Sequence, residues 1–289
     1  MEASIIIVNW KVKPLLESCL RSVYRYTQGV SFEVIVVDND SRDGSIEMVA
    51  TRFPGAIIIG NNRNTGFAAA CNAAIGQSSG EFVLLLNPDC ELKDDAVSKM
   101  TSWLRAHPEA SILGPRIENP DSSLQVSVSR FPTLTSQIMI MLKVHNIAPE
   151  LPALKNYFAS DFDYSREAII DQVKGAALMI RRSAIEQIGL LDEKFFIWYE
   201  EVDWCKRAKD AGLQAWYAPA ASIMHHGGAS FGQVFGPPRQ RMLNRSMRHY
   251  MLKHHGWLQY LVLLALHPLS MLAAYIAIPF RNRRYAKSS

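Results

Sequence analysis

Two adjacent acids, Glu200 and Glu201, lie within an aromatic stretch of the sequence. On a helix Glu201 has only apolar neighbours one turn away, whereas Asp203 has Lys206 and Arg207 at the spacing of an ion pair. An unpaired carboxylate among apolar side chains has a raised pKa, which suits it to take a proton from a substrate hydroxyl. The pattern therefore favours Glu201 as a general base, with Glu200 as the alternative, and predicts an ion pair for Asp203.

Oxygen-bearing side chains follow a continuous apolar run at residues 84–86, in the sequence Asn87-Pro88-Asp89. Mg²⁺ and Mn²⁺ prefer oxygen ligands, and an ion that also binds the phosphates of a nucleotide needs only one or two carboxylates from the protein. His225 follows a later predicted strand, which makes it a candidate second ligand. The sequence therefore predicts a metal held by Asp89 and His225, although a turn without a ligand has the same Asn-Pro-Asp pattern.

Polar residues after other apolar runs predict contacts with a nucleotide. Asp38 ends the run at residues 34–37, where a carboxylate can accept the N3–H of a uracil or thymine ring. Arg63 and the backbone N–H groups before a helix rich in small residues can contact a phosphate. A simple acidic turn suffices to explain Asp40, and a polar loop before a helix is also common without a ligand. The predicted nucleotide-binding residues are Asn9, Asp38, Asp40, Arg63, Asn64, Gly66, Asn87 and Asp89.

These residues are positioned by apolar runs that alternate with helical patterns. Strands are predicted at residues 4–8, 32–37, 56–59 and 82–86, and helices at 13–26, 44–53 and 66–75. Continuously apolar strands that alternate with helices are typical of an α/β fold with a mostly parallel sheet covered on both faces. Such a sheet binds ligands at the carboxyl ends of its strands, so the predicted nucleotide and metal residues share one edge.

The middle of the chain has a weaker pattern. Residues 115–171 are punctuated by Pro, Ser and Asn, which favours a less regular region with acceptor contacts and a mobile loop. Regular structure is predicted to return with a strand at 173–180, helices at 183–188 and 200–211, and a last strand at 214–218.

The C-terminal segment differs in composition from the rest. Residues 257–280 carry no formal charge at neutral pH, and their length matches the roughly 20 residues that cross a membrane. Basic clusters flank this stretch on both sides, so a single crossing would place one of them outside. A kinked hairpin or an in-plane helix at a membrane is predicted, and a buried helix pair that packs on the domain or on a second subunit is the alternative. The clusters are Arg239, Arg241, Arg245, Arg248 and Lys253 before the stretch and Arg281, Arg283, Arg284 and Lys287 after it.

Composition limits the classes of protein that fit the chain. With 289 residues, 48% of them hydrophobic and 20% charged, it is long enough for one large or two modest globular domains. A formal charge of +4 is too small and too dispersed to indicate a nucleic acid partner. The four cysteines form no C-x-x-C pair and no signal peptide precedes the first predicted strand, so a cytoplasmic catalytic part is expected.

In their order along residues 4–230, these motifs resemble the inverting glycosyltransferases of family 2, especially the bacterial rhamnosyltransferase-like branch. The resemblance implies a GT-A fold. Asp38 corresponds to the acid that contacts the nucleobase, and Asn87 and Asp89 correspond to the D-x-D element that holds Mg²⁺ or Mn²⁺. Glu201 corresponds to the catalytic base, and His225 to a histidine that serves as a metal ligand.

The resemblance also implies an organisation and a reaction. Residues 1–115 form the nucleotide-sugar-binding half of one GT-A domain, residues 116–235 its acceptor-binding and catalytic half, and residues 236–289 a membrane-associating segment. The expected reaction moves a sugar, with L-rhamnose from dTDP-rhamnose as the first choice among dTDP- and UDP-sugars, to a lipid-linked saccharide in cell-surface polysaccharide synthesis. The expected location is the cytoplasmic face of the inner membrane, and a homo-oligomer is compatible with the sequence.

Two other classes of function remain open. A nucleotidyltransferase also combines a nucleotide pocket, a metal and acids, and a membrane-bound scaffold with a degenerate transferase fold would fit Asn87 and Glu201, which replace commoner aspartates. A dinucleotide oxidoreductase is disfavoured because residues 9–11 do not begin a G-x-G-x-x-G motif after the first strand.

Overall fold

A computed structural model of the chain describes residues 1–227, 232–234 and 236–276. The strands in this part of the chain are β1 (Ala3–Asn9), β2 (Phe32–Asp38), β3 (Ala56–Gly60), β4 (Phe82–Leu86), β5 (Cys90–Leu92), β6 (Ala110–Glu118), β7 (Val128–Ser129), β8 (Ala168–Ile170), β9 (Gln172–Val173), β10 (Ala177–Arg181) and β11 (Gln214–His225). The helices are α1 (Lys13–Tyr26), α2 (Ser45–Arg52), α3 (Phe67–Ile75), α4 (Ala96–Ala106), α5 (Leu134–Met141), α6 (Pro152–Tyr157), α7 (Arg182–Ile188), α8 (Glu200–Asp210), α9 (Pro237–His255) and α10 (Trp257–Ile276). The predicted strands and helices up to residue 86 are all present.

Nine of the described strands form one sheet, in the order β3-β2-β1-β4-β10-β6-β11-β5, with β8 paired to β11. The strands β3, β2, β1 and β4 are parallel, and β10 is antiparallel to both of its neighbours. β11 is parallel to β6. The predicted α/β fold with a mostly parallel sheet is therefore confirmed. Because β10 is reversed, the turn that precedes it lies at the same edge as the carboxyl ends of β1, β2 and β4.

The apolar character of the central strands follows from burial on both faces. Every residue of β1 is buried, and successive side chains point to opposite faces of the sheet. Ile5 and Ile7 pack in a core shared with α1, α2 and α4, whereas Ile6 and Val8 pack in a core shared with α3, α7 and α8. The two cores hold the sheet rigid, so the loops at its carboxyl edge start from fixed points.

Several elements in the second half differ from the prediction. The strand predicted at residues 173–180 is two strands, β9 and β10, because a turn that includes Gly175 separates them. The last strand does not end at residue 218 but continues to His225, after an irregularity between Ala218 and Ser222 that contains Pro219. Residues 115–171 are more regular than predicted, since they contain β7, α5, α6 and β8, and α4 and β6 were not predicted.

The helices α9 and α10 form a hairpin that packs on the domain through a third core. Met247 and Tyr250 of α9 are fully buried in this core together with Phe195. A polar contact also joins the two helices, because Asn244 Nδ2 donates a hydrogen bond to Ser270 Oγ over 2.9 Å, and both residues are fully buried. α9 is therefore part of the folded domain rather than a detached tail.

α10 runs without interruption from Trp257 to Ile276 and through Pro268. No hairpin or chain break is present within the described part of residues 257–280; the hairpin lies one residue earlier, between α9 and α10. This corrects the predicted hairpin within the apolar stretch, and the alternative of an in-plane helix stays a prediction. Leu263 and Ser270 face the domain. In the described part of the chain α10 is the one helix with the length and apolar character to cross a membrane, and 17% of its most apolar window is buried. Its exposed apolar side chains are Trp257, Leu258, Leu261, Leu264, Leu269, Leu272, Tyr275 and Ile276.

The basic residues before α10 do not form one lipid-facing cluster as predicted. Lys253 Nζ lies 2.8 Å from carboxylate oxygens of both Asp192 and Asp203, and Arg248 is half-buried. Arg241 is exposed, as is Arg245. The cluster predicted after the apolar stretch, at residues 281–287, lies outside the described residues.

Candidate active site

A cavity of about 420 Å³ opens at the carboxyl edge of the sheet. The predicted site residues that line it are Asn64, Gly66, Asn87, Asp89, Glu200, Glu201 and His225. The predicted nucleotide-binding residues that do not line it are Asn9, Asp38, Asp40 and Arg63. The structure thus brings the predicted metal ligands and the predicted base into one cavity, and it leaves part of the predicted nucleotide site beside that cavity.

Glu200 and Glu201 are the first two residues of α8. The residues before them, Trp198 and Tyr199, have positive φ angles of 62° and 73°, so the chain turns sharply into the helix. The apolar neighbours expected one turn before Glu201 therefore do not belong to the same helix. Glu200 is nevertheless enclosed, because it is only 5% exposed.

Both carboxyls of the pair have raised pKa values. Burial raises the pKa of Glu200 well above its usual range, and repulsion from Glu201 raises it further. Burial also raises the pKa of Glu201, but backbone N–H groups at the start of α8 and at Gly175, and the charge of Lys174, work against the shift. One oxygen of each, Oε2, has no hydrogen-bond partner among the described residues. The rise in pKa that was predicted for Glu201 is confirmed in its direction.

Gly175, in the turn between β9 and β10, leaves room for the Glu201 carboxylate. A Cβ atom at this position would lie 3.2 Å from Glu201 Oε1, which is closer than an ordinary van der Waals contact. The glycine that interrupts the predicted strand therefore also opens the space that the carboxylate occupies.

Asp89 and His225 meet on the cavity wall. Asp89 is 3% and His225 4% exposed, and His225 Nε2 lies 3.3 Å from Asp89 Oδ1. The other ring nitrogen, Nδ1, lies 2.6 Å from Gln125 Oε1. Nε2 has no hydrogen-bond partner in the described part of the chain. A buried imidazole nitrogen without a partner, next to a buried carboxylate, fits the demands of a divalent metal ion.

Cys90 lies close enough to Asp89 and His225 to be a third ligand by distance. Its thiol donates a hydrogen bond to the Ala176 carbonyl over 3.3 Å, and burial raises the pKa of the thiol well above its usual range. Mg²⁺ and Mn²⁺ prefer oxygen ligands and bind thiols poorly. Cys90 therefore fits a packing role better than a metal-binding one.

Asp38 and Asn9 hold the loop that follows β2. Asn9 Nδ2 donates to Asp38 Oδ2 over 2.7 Å and to Ser41 Oγ over 3.0 Å, and the Ser41 N–H donates to Asp38 Oδ1 over 2.9 Å. Asp40, in the same loop, pairs with Arg42 over 2.7 Å. Asp38 is thus committed to hydrogen bonds within the loop and is 2% exposed.

Asn39 was not predicted to belong to the site, yet it lines the cavity. Its Nδ2 donates to the Gly66 carbonyl over 3.1 Å, and its Oδ1 accepts hydrogen bonds from Asn61 Nδ2 over 2.8 Å and Thr65 Oγ1 over 3.1 Å. These bonds join the loop after β2 to the loop before α3. Asn39 could have been predicted to line the site from its position between Asp38 and Asp40, which were both predicted to bind the nucleotide. Arg63, in the second loop, is exposed.

Two cationic side chains that were not predicted as site residues also line the cavity. Lys174 precedes the turn at Gly175, where burial lowers its pKa and the charges of Asp89 and Glu201 oppose that effect. Arg239, near the start of α9, lies over the Trp198 ring at 5.4 Å from the ring centroid. Both were missed because they lie in segments whose place in space depends on long-range packing.

Comparisons with known proteins show which proteins the chain is similar to. The chain is 27% identical over 267 residues to N-acetylglucosaminyl-diphospho-decaprenol L-rhamnosyltransferase of Mycobacterium tuberculosis, with 88% of this chain and 85% of that protein covered. It is 28% identical over 229 residues to the low-salt glycan biosynthesis hexosyltransferase Agl10 of Haloferax volcanii, with 78% and 67% covered. It is 24% identical over 173 residues to rhamnosyltransferase WbbL of Escherichia coli, with 60% and 62% covered.

Solved structures with the GT-A fold superpose on the chain. The mannosyltransferase PcManGT from Pyrobaculum calidifontis, in complex with GDP-Man and Mn²⁺, matches with a TM-score of 0.57 and 15% identity over 98% of this chain and 75% of that one. GalNAc-T7 with UDP, GalNAc and Mn²⁺ also has a TM-score of 0.57, with 13% identity over 78% and 44%. A sequence model of the family matches residues 4–189. With the predicted GT-A fold in place and this match over more than half of its length, the chain belongs to glycosyl transferase family 2.

Proposed function

We propose that the chain is an inverting glycosyltransferase that moves L-rhamnose from dTDP-L-rhamnose to a hydroxyl of a saccharide linked through a diphosphate to a polyprenol. The observation that carries the proposal is that Glu200, which is buried, and Glu201 share one cavity with Asp89 and His225. The choice of sugar and acceptor rests on the relatives, since two of them are named rhamnosyltransferases and one of these is named for N-acetylglucosaminyl-diphospho-decaprenol.

Glu201 is the proposed base. It takes the proton of the acceptor hydroxyl while the hydroxyl oxygen forms a bond to the anomeric carbon of the donor sugar, on the face opposite the nucleotide. The bond between that carbon and the diphosphate oxygen breaks, its electron pair leaves with the nucleoside diphosphate, and the configuration inverts. The raised pKa makes the ionised Glu201 a stronger base than an ordinary carboxylate. Burial of Glu200 and its repulsion from Glu201 raise the pKa of Glu200, which disfavours a pair in which both carboxyls are ionised.

Asp89 and His225 are the residues that would hold Mn²⁺ or Mg²⁺, through Asp89 Oδ1 and the unpartnered His225 Nε2. When bound, the ion supplies positive charge that stabilises the departing diphosphate. Mn²⁺ in the two solved structures with the same fold supports this assignment. Lys174 and Arg239 add positive charge to the cavity wall without a metal.

The exposed apolar face of α10 supports attachment to a membrane. The cytoplasmic face of the inner membrane is the proposed location, because the proposed acceptor is linked to a polyprenol. In this arrangement residues 236–289 attach the enzyme to the membrane. The division of the GT-A domain near residue 115 remains a prediction, and β6 crosses that position within the nine-stranded sheet.

The test of the proposed reaction uses the full chain purified in mild detergent. dTDP-L-rhamnose, UDP-glucose and GDP-mannose are each offered with N-acetylglucosaminyl-diphospho-polyprenol and Mn²⁺, and the lipid product is identified by mass spectrometry and NMR. We expect rhamnosyl transfer with inverted configuration. Retained configuration would exclude the single displacement. Transfer of the nucleoside monophosphate with release of the sugar 1-phosphate would indicate a nucleotidyltransferase, and no turnover of any donor would support a scaffold.

Substitution of the base gives the first prediction. Glu201→Gln keeps the size of the side chain but removes its ability to take a proton, so kcat is expected to fall by about 10² to 10⁴. The matched control is Glu186→Gln, an exposed glutamate of α7 outside the cavity, which is expected to leave kcat unchanged. Steady-state transfer assays measure both. Turnover that survives Glu201→Gln but is lost in Glu200→Gln would move the role of the base to Glu200.

A further inference from the structure

We propose that Gln125 is a positioning residue that fixes His225 in the tautomer with the proton on Nδ1 and so keeps the Nε2 lone pair turned towards Asp89. The two contacts of the ring differ in kind. Nδ1 lies 2.6 Å from Gln125 Oε1, a short hydrogen bond, whereas Nε2 lies 3.3 Å from Asp89 Oδ1 and makes no hydrogen bond among the described residues. An imidazole carries its proton on the nitrogen that donates a hydrogen bond.

The orientation of the Gln125 amide decides which nitrogen donates. Its Nε2 donates to the backbone carbonyl of His225 over 3.3 Å and to Asn119 Oδ1 over 2.7 Å, while Lys174 Nζ donates to its Oε1 over 3.4 Å. A flipped amide would place the NH₂ group against an ammonium and the oxygen against a carbonyl. A carbonyl and an ammonium each have a single hydrogen-bonding role, so Oε1 must face His225 Nδ1, and Nδ1 must carry the proton.

The presence of Asp89 explains why the tautomer of His225 must be fixed by another residue. A carboxylate 3.3 Å from Nε2 is a competing acceptor, and a ring with its proton on Nε2 would donate to Asp89 instead. That tautomer would join the two proposed metal ligands to each other and remove the lone pair that a metal needs. Gln125 therefore selects between a ring that can bind a metal and one that cannot.

The contact joins distant parts of the chain. Gln125 and His225 are 100 residues apart, and the Gln125 N–H donates to the Ile117 carbonyl at the end of β6 over 2.9 Å. β6 and β11 are paired neighbours, so the sheet itself sets the distance between the two side chains. That His225 binds a metal rests on the proposed function. The tautomer of His225 can be measured in the metal-free protein and does not depend on that function.

The experiment is therefore carried out first without metal. Protein labelled with ¹⁵N-histidine is treated with EDTA, and long-range ¹H–¹⁵N spectra at pH 8 report the tautomer of each neutral histidine, with His225→Gln used to assign the signal. We expect Nδ1–H in the wild type and in Gln125→Glu, which keeps an acceptor at this place. We expect Nε2–H as the major form in Gln125→Leu, and no change in Gln187→Leu, an exposed control on α7.

Two outcomes overturn the inference: Nε2–H at His225 in the wild type, or Nδ1–H retained in Gln125→Leu. The wild-type spectrum alone tests it if Gln125→Leu does not fold. Mn²⁺ titration of the same proteins separates the inference from the proposed function. A loss of about tenfold or more in Mn²⁺ affinity in Gln125→Leu supports both. A changed tautomer with unchanged Mn²⁺ affinity supports the role of Gln125 and overturns His225 as a metal ligand.

Discussion

At Gly66 the backbone has a φ of 89° and passes so close to the segment before α8 that a Cβ atom would lie 2.5 Å from the Phe196 carbonyl oxygen. The next residue, Phe67, donates its N–H to the same carbonyl over 2.8 Å. This contact joins the loop before α3 to the loop that leads into the Glu200–Glu201 pair. Gly66 was predicted from the sequence to contact a phosphate. The structure shows that it also sets the distance between the loop before α3 and the segment before α8, which both line the cavity.

Substitution of this glycine should be strongly destabilising. Gly66→Ala combines an unfavourable φ with a collision against backbone, and we expect the free energy of unfolding to fall by about 3 kcal/mol or more. Gly212→Ala is the matched control, because Gly212 has a φ of 79° but no atom within 4 Å of an added Cβ; a loss of about 1–2 kcal/mol is expected there. Denaturant unfolding measures both, and equal losses would contradict the importance of the Phe196 contact.

The raised pKa of Glu200 has a consequence for stability. Below the pKa of the unfolded chain, near 4.5, the carboxyl is neutral in both states; as the pH rises, ionisation stabilises the unfolded chain first. The wild type therefore loses stability between pH 4.5 and the raised pKa. Glu200→Gln should be more stable than the wild type at pH 7, by about 1 kcal/mol or more, and the difference should vanish below pH 4. Thermal unfolding across this pH range measures it; a less stable variant at pH 7 would be inconsistent with a buried acid.

Residue types near the ends of strands and helices could be predicted, but their partners could not. Asp89, Glu201 and His225 stand at ends of regular elements, where a local pattern indicates the edge that they share. Gln125 and Lys174 lie in irregular segments, and they reach the cavity only because β6, β10 and β11 are neighbours in the sheet. No periodicity in the sequence encodes that adjacency.

At the scale of elements, α8 joins the catalytic pair to the C-terminal hairpin. Asp203, fully buried, is bound by Arg207 of the same helix over 2.8 Å, which confirms the predicted ion pair. It is also bound over 2.8 Å by Lys253 and by His254, both from α9. The second half of this cluster could not be predicted, because α9 follows Asp203 by more than thirty residues and its place depends on tertiary packing.

Loss of this cluster should weaken the attachment of α9 to the domain. Burial favours a higher pKa for Asp203, but hydrogen bonds from His254 and Lys253 and the charge of Arg207 hold it below the ordinary 3.8. Its contribution to stability is therefore present above pH 3.8 and lost as the pH falls through the lowered pKa. Asp203→Asn should lower the free energy of unfolding by about 3 kcal/mol at pH 7 and by less at pH 3.

The control for this change is Asp210→Asn, an exposed acid near the end of α8 that pairs with Lys206, for which a loss below about 0.5 kcal/mol is expected. Denaturant unfolding at both pH values measures the two variants. Equal losses in Asp203→Asn and Asp210→Asn would mean that the buried cluster does not hold α9.

At the scale of the whole molecule, the alternation of apolar runs and helical patterns predicted an α/β fold with a mostly parallel sheet, and the resemblance of the motifs to glycosyltransferase family 2 implied the GT-A fold. The arrangement of the C-terminal segment could not be predicted. The sequence showed that residues 257–276 form a long apolar stretch. How this helix packs against α9 depends on hydrogen bonds between polar side chains. Asn244 binds His267 and Ser270 of α10, and Gln240 binds Asn244 in turn. Such contacts between helices have no signature in composition.

The outer face of α10 provides a test of membrane attachment. Leu261 and Leu272 are 52% and 55% exposed, so replacing both with Glu should leave the fold unchanged but abolish flotation with vesicles of phosphatidylglycerol and phosphatidylethanolamine. Leu190→Glu, at a leucine 45% exposed elsewhere on the domain, should float like the wild type. Flotation of the doubly substituted protein at the wild-type level would exclude this face as the membrane contact.

The Asp203 cluster has one more consequence. Glu200 and Glu201 lie in the first turn of α8. About one turn further along the same helix, Asp203 forms ion pairs with α9, which is followed by α10. In the proposed arrangement, the fold therefore fixes the distance between Glu201, the proposed base, and the membrane that α10 contacts. An acceptor hydroxyl must therefore reach Glu201 at the distance from α10 that the Asp203 cluster sets.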